Sequence, residues 1–282
     1  MPQTIIDLLN KAAHANKNDA CRRGNIIYPP PAGKLILTGD LHGHKRNLER
    51  IINYADLGNN PDTHIILHEV IHGGPQDEEG GCLSYRLLFD VAQLKLEFPR
   101  QVHTIMGNHD TAFITESEVI KAGREMNRAM CAAITQEFRE AAEAVISAIK
   151  SYLFSQALAV KCQNRIWMSH SLPSDRLADK FDPGIFDREL RIDDLVRPGS
   201  AYILTWGRRQ SHSLLEKMAA LLDVDIFVLG HQPQERGYTQ AGARTLIVAS
   251  DHNHGCILPI DPGRPYTMQE LIESMVSLAS LT

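Results

Sequence analysis

Residues 35–44 read LILTGDLHGH. Four apolar or β-branched positions run into Gly39-Asp40, then come His42, Gly43 and His44, and a charged run compatible with a helix starts at Lys45. The pattern predicts a strand, a tight loop and a helix. A carboxylate and an imidazole two residues apart, just past a buried strand, converge on one point. Asp40 supplies a hard oxygen and His42 a borderline nitrogen, a mixture that suits Mn, Fe or Zn rather than Ca or Mg alone. A polar loop after a strand often contains Asp and His with no such task, so the rest of the chain has to repeat the design before it carries a function.

It does so twice at once. After a helix over 45–57 and a turn over 58–62, THIIL (63–67) reads as a short buried strand that delivers His68, Glu69 and His72. A helix over about 82–97 then leads into QVHTIM (101–106), which runs into Gly107-Asn108-His109-Asp110. Three strands ending in metal-type residues predict an α/β fold with its site at the strand ends. Upstream, apolar positions over 3–14 recur with a helical period, and the region 1–33, closed by three consecutive prolines, reads as an N-terminal brace. Downstream, a stretch without proline over 114–158 reads as a helical insertion, about 112–160 in all, forming a wall or lid within a single domain of 1–282. RIWMSHS (165–171) is a strand ending in His170, 173–200 is irregular, and AYILTW (201–206) reads as a short strand. A helix over 212–222 precedes DIFVLGHQP (225–233), a strand that ends in His231. RTLIVAS and GCILPI read as a closing hairpin across Asp251, His252, Asn253 and His254, and 268–281 as a terminal helix.

With 282 residues, 43% hydrophobic and 22% charged, the composition is that of an ordinary soluble globular protein. A net charge of -5 argues against bulk electrostatic binding to nucleic acid. The five cysteines are odd in number and scattered, with no C-x-x-C pair, which suits reduced thiols and offers no zinc knuckle. The N-terminus has Asp7 inside its apolar run and no small-residue cleavage site, and no stretch reaches the length of a membrane span, so a cytoplasmic protein without a membrane partner is expected.

Together the strand ends present Asp40, His42, Glu69, Asn108, His109, His170 and His231. Here GDLHG, HEVIHGG, GNHD, MSHS and GHQ resemble the motifs GDxHG, GDxxDRG, GNHE, a strand-end His and a final GH of the calcineurin-like metallophosphoesterases. GHQPQERGY followed by LIVASDHNHG is similar to the phosphoprotein phosphatase branch of that superfamily. The resemblance covers about 35–257 and implies an α/β metallophosphoesterase-type β-sandwich of two sheets flanked by helices, with the helical insertion. It further implies two metal ions (Mn, Fe or Zn) and a metal-bridging hydroxide that attacks a phosphate ester. Asp40 and His42 would hold the first ion, Glu69 would bridge, Asn108, His170 and His231 would complete the second, and His109 would protonate the leaving group.

The second motif departs from the family. Glu69 stands for the bridging Asp, His72 for the Asp that orients the catalytic histidine, and Gly73 for an Arg that grips phosphate. Arg208 and Arg209 are candidate replacements for that Arg, and His252 and His254 candidate rim residues. Writing an Arg back at 73 should cost little unless Gly73 is left-handed. Strand alternation should aim Glu69, and not His68, into the site. HEVIH, 68–72, is also a literal H-E-x-x-H, but the zinc-protease mechanism needs a helix there and Gly73-Gly74-Pro75 stops one. Three readings stay open: a phosphatase acting on a phosphorylated small molecule or phosphoprotein, a metal-binding pseudophosphatase that holds a phosphorylated partner, and a hydrolase of nucleotide or dinucleotide polyphosphates. Oligomeric state is not legible.

Overall fold

The computed structural model describes residues 2–121 and 123–281. Helix α1 (Pro2–Lys17) is followed by two short strands, β1 (Arg22–Arg23) and β2 (Ile26–Ile27). Then β3 (Lys34–Asp40), α2 (Lys45–Ala55), β4 (Thr63–His68), α3 (Ser84–Glu97) and β5 (Val102–Ile105) form two parallel crossover units. Next come α4 (Asn108–Ile114), a small hairpin of β6 (Ile120–Lys121) and β7 (Arg124–Glu125), α5 (Met126–Phe138) and α6 (Ala142–Phe154). The second half holds β8 (Ala159–Lys161), β9 (Ile166–Ser169), α7 (Ile192–Leu195), α8 (Ser200–Trp206), α9 (His212–Leu222) and β10 (Ile226–Leu229). It closes with β11 (Tyr238–Gln240), β12 (Thr245–Val248), β13 (Cys256–Ile260), α10 (Met268–Glu273) and β14 (Val276–Ser277).

The strands form a seven-stranded sheet, ordered β1-β2-β8-β9-β10-β12-β11, and a five-stranded sheet, ordered β14-β13-β3-β4-β5. Strand alternation explains how they stack. Leu35, Leu37 and Ile66 of one sheet meet Met168, Val228 and Leu246 of the other in a buried layer between them. Their neighbours Ile36, Ile65, Leu67, Trp167, Phe227 and Leu229 face outward into the helices. With both faces covered, these strands read as unbroken apolar runs. The expected two-sheet sandwich flanked by helices is the fold observed.

Four local readings are corrected. AYILTW belongs to helix α8, where the Ile203 amide donates to the Gly199 carbonyl and the Thr205 hydroxyl back-bonds to Ala201. A six-residue apolar run carries no period long enough to separate strand from helix. RTLIVAS and GCILPI do not form a hairpin: β12 runs parallel to β10 in one sheet and β13 antiparallel to β3 in the other. The chain crosses between sheets through Ser250, whose hydroxyl takes the Gly39 amide and donates to the Cys256 carbonyl. The terminal helix ends at Glu273, and β14 follows. The insertion opens with the β6–β7 hairpin rather than being helical throughout; its helix α6 packs on α1 and α4, and α1 packs on α3. Among the described residues no helix is long and apolar enough to cross a membrane.

Candidate metal centre

The strand ends place the candidate ligands. Asp40 closes β3, Glu69 follows β4, and Asn108 and His109 open α4 just beyond β5. His170 follows β9 and His231 stands two residues past β10, so one sheet supplies Asp40, His42, Glu69 and Asn108 and the other His170 and His231. His42, Glu69, His72 and His231 all have left-handed backbones, with φ of 43°, 46°, 65° and 68°. Such conformations cost non-glycine residues about 1–2 kcal/mol apiece and collect where a site over-determines them.

Four ligand-type atoms crowd one point. His170 Nε2 lies 2.7 Å from Asn108 Oδ1, 3.1 Å from His231 Nδ1 and 3.0 Å from Glu69 Oε2, and His231 Nδ1 lies 2.8 Å from Asn108 Oδ1. Beside them, Asp40 Oδ2 is 3.7 Å from His42 Nε2. His42 Nδ1 sits 3.0 Å from the Ile71 carbonyl, which only accepts, so this nitrogen carries the proton and Nε2 offers a lone pair to the site. The Asp40 carboxylate is fixed by the His231 amide at 3.0 and 3.1 Å, and that of Glu69 by the His109 amide at 3.1 Å. A Cβ on Gly107 would stand 2.3 Å from Glu69 Oε2, so only glycine lets the longer carboxylate lie against this turn. Burial pushes His170 down to about 3, with Arg208 helping, and drives His231 well below its ordinary value, which keeps both imidazoles neutral, as metal ligands must be. Amide oxygen, carboxylates and neutral imidazoles aimed at each other are a donor set that fits cations of the Mn, Fe or Zn class.

His68 departs from the expectation. The left-handed turn at Glu69 breaks the alternation, and His68, fully buried, faces the same cluster: its Nδ1 lies 3.4 Å from His170 Nδ1 and its Nε2 3.8 Å from Asp40 Oδ1. Its Nε2 is 3.1 Å from the Thr38 carbonyl. The sequence signals for it are an imidazole where the family motif has glycine and its place at the head of HEVIH. HEVIH lies on the end of β4 and the loop after it, without a helix, as the sequence reading required.

His109 is met edge-on by two rings, His42 and His72, each with centroids 5.1 Å away. His72 is buried and bonds through Nε2 to Asn127 Oδ1 on α5. Asn127 spends its Nδ2 on the Ser117 carbonyl at 2.6 Å, so Oδ1 accepts and the His72 proton sits on Nε2. Asn127 is a residue that sequence reading missed. Gly73 is not left-handed, yet a Cβ there would stand 2.4 Å from the His42 carbonyl oxygen, so this loop has no room for the family's Arg. That corrects the expected low cost of writing it back. Arg208 instead reaches the cluster from beyond α8, its Nε donating to His231 Nε2 at 2.9 Å. Arg209 turns away and lines a separate cavity with Leu215, Gln232 and Ile247. His252 is held by the Gln234 carbonyl at 2.8 Å and by the His254 amide at 3.1 Å, and His254 lines another cavity with Arg236 and Tyr238. These bonds hold the His252 ring to Gln234 and His254.

Residues 33–246 match the calcineurin-like phosphoesterase family. No curated protein matches the chain in sequence. Among solved structures, a protein serine/threonine phosphatase from Saccharomyces cerevisiae with similarity to human phosphatase PP5 superposes with a TM-score of 0.73 at 14% identity, covering 98% of this chain and 88% of that one. A cold-active protein-tyrosine phosphatase of a psychrophilic Shewanella superposes with a TM-score of 0.57 at 16% identity, covering 86% and 79%. At such identities the likeness is one of fold. The family match spans most of the chain, and the ligand-type residues of its motifs meet at the strand ends: the chain belongs to the calcineurin-like phosphoesterases, metal-dependent hydrolases of phosphate esters.

Proposed function

We infer that the chain is a two-metal phosphatase acting on phosphate monoesters, with Asp40 and His42 on one ion, Glu69 between the two, and Asn108, His170 and His231 on the other. The observation that carries the reading is the convergence of Asn108, His231 and Glu69 on His170 Nε2, at 2.7, 3.1 and 3.0 Å, beside the Asp40–His42 pair. A bound metal pair would make a nucleophile of water near neutral pH and neutralise charge on the phosphoryl oxygens. The protein's own groups do the rest. If His231 Nδ1 held an ion, its proton would sit on Nε2, and the Arg208 Nε–H would lose the acceptor it has here. The guanidinium would then be available to phosphoryl oxygens, in the role that Gly73 leaves open. His109 donates a proton to the leaving oxygen, with His72 and His42 packed against its ring.

Elemental analysis and phosphate release test this together. The chain loaded with Mn or Fe should hold two such ions and hydrolyse aryl and alkyl phosphates, and Asn108→Ala should hold one fewer and lose most turnover. Full loading with no release from either ester would move the reading to a phosphoprotein-binding pseudophosphatase. Release from nucleoside polyphosphates alone would move it to a nucleotide hydrolase.

A further inference from the structure

A second cluster lies at the opposite ends of the strands that deliver Glu69 and Asn108. His64 is the second residue of β4 and His103 the second of β5. Their rings lie parallel, tilted by 6° with centroids 5.3 Å apart, and His64 Nδ1 is 3.0 Å from His103 Nε2. Cys21, in the turn after α1, is the third member: its Sγ and one nitrogen from each ring all lie within 4.8 Å of one another.

Proton placement points the cluster inward. Asp19 Oδ2 lies 2.7 Å from His103 Nδ1, so that nitrogen carries the proton and Nε2 offers its lone pair. Asp19 is itself held as a carboxylate by the fully buried Lys95, whose ammonium lies 2.6 Å away and also donates to the carbonyls of Pro99 and Val102. A carboxylate behind a histidine is the arrangement that orients imidazoles toward metals. The other Asp19 oxygen takes the Cys21 amide at 2.9 Å, and the Cys21 carbonyl takes the Tyr28 amide at 2.7 Å, so the backbone that carries the thiol is fixed at both ends.

We propose that Cys21, His64 and His103 form a zinc site separate from the phosphatase centre, with Asp19 orienting His103 and water in the fourth position. One sulfur and two imidazoles are the donors that select a borderline-soft divalent ion. Donors around tetrahedral zinc stand about 3.3–3.8 Å apart. The His64–His103 pair is within a few tenths of an ångström of that, and zinc would replace the single proton the two nitrogens otherwise share. The Cys21 thiolate and the Asp19 carboxylate offset the charge of the ion, and the Lys95 ammonium bonds Asp19 away from the His103 nitrogen that would meet the metal. Such a site pins the turn after α1 to β4 and β5 and holds the roots of the two strands whose far ends carry Glu69 and Asn108.

Cobalt reads this site without interference, because none of the residues assigned to the phosphatase centre has sulfur. Co2+ added to the full-length metal-free protein should give a near-ultraviolet sulfur-to-cobalt charge-transfer band. Cys21→Ser should abolish the band and lower bound zinc by one ion per chain, whereas Asn108→Ala should keep the band. The wild-type spectrum needs no substitution, so a variant that fails to fold leaves the test standing. No band in the wild type, with equal zinc content in wild type and Cys21→Ser, would overturn the site and leave Asp19, His103 and His64 as a buried hydrogen-bond network.

Discussion

At position 68 an imidazole stands ready to take the His170 proton. The Thr38 carbonyl can only accept, so His68 Nε2 donates to it, and His68 Nδ1 is left as an acceptor 3.4 Å from His170 Nδ1. An ion on His170 Nε2, the nitrogen that faces Asn108, His231 and Glu69, would put the His170 proton on Nδ1, where His68 accepts it. Outer partners of this kind are commonly worth ~10–100-fold in metal affinity. On the two-metal reading, His68→Ala should weaken the ion held by Asn108, His170 and His231 by about that much, and His68→Gln, whose amide oxygen can still accept, by less. Calorimetric titration of Mn2+ into the metal-free proteins decides it. Equal affinities in all three would mean that His68 only fills space. The sequence could not assign this residue, because the alternation rule that set it aside holds only along a regular strand, and Glu69 at a φ of 46° is where the strand ends.

At the scale of elements, α5 is tied into the catalytic loop through one side chain. Asn127 fixes the His72 tautomer, and His72 packs on His109, so a helix of the insertion sets the surroundings of the proposed acid. Asn127→Ala should leave a buried His72 N–H without its acceptor and cost about 1–3 kcal/mol of stability. It should also slow hydrolysis of an alkyl phosphate more than that of an aryl phosphate, since only the poorer leaving group needs the proton in full. Denaturant melts and the ratio of the two rates check both halves; an unchanged ratio would remove His72 from any part in proton transfer. Elements were legible where the period was long or the flanks explicit. The crossover units from β3 to β5 show buried runs, polar turns and a helix between them. Helix α8 was misread because Ala201, Ile203 and Leu204 become core through contacts with distant segments, which a six-residue window does not hold. The false hairpin has the same root, for β12 and β13 are neighbours in sequence and partners of different sheets.

Across the whole molecule, the proposed ligands come from both sheets, so metal binding and sandwich stability are coupled. The sheets touch at the mouth of the site through a parallel bridge between Asp40 and Ala249. There the five-stranded sheet supplies two carboxylates, an amide and His42, and the seven-stranded sheet supplies His170 and His231. An ion that takes ligands from both sheets binds the folded sandwich and not the unfolded chain, so it stabilises by mass action, by about 4 kcal/mol at a thousandfold excess over its dissociation constant. Of the proposed pair, the ion on Asn108, His170 and His231 spans the sheets, whereas Asp40, His42 and Glu69 belong to one of them. Adding Mn2+ to the metal-free wild type should therefore raise Tm by on the order of 5–10 °C, since each kcal/mol moves a chain of this size by a few degrees. Asn108→Ala should rise much less, and Cys21→Ser should rise as the wild type does, because its thiol lies at the far end of β4 and β5. Differential scanning calorimetry of the three proteins, with and without Mn2+, measures this. If Asn108→Ala gains as much as the wild type, the stabilising ion does not join the two sheets through Asn108, and the assignment of that residue fails with it.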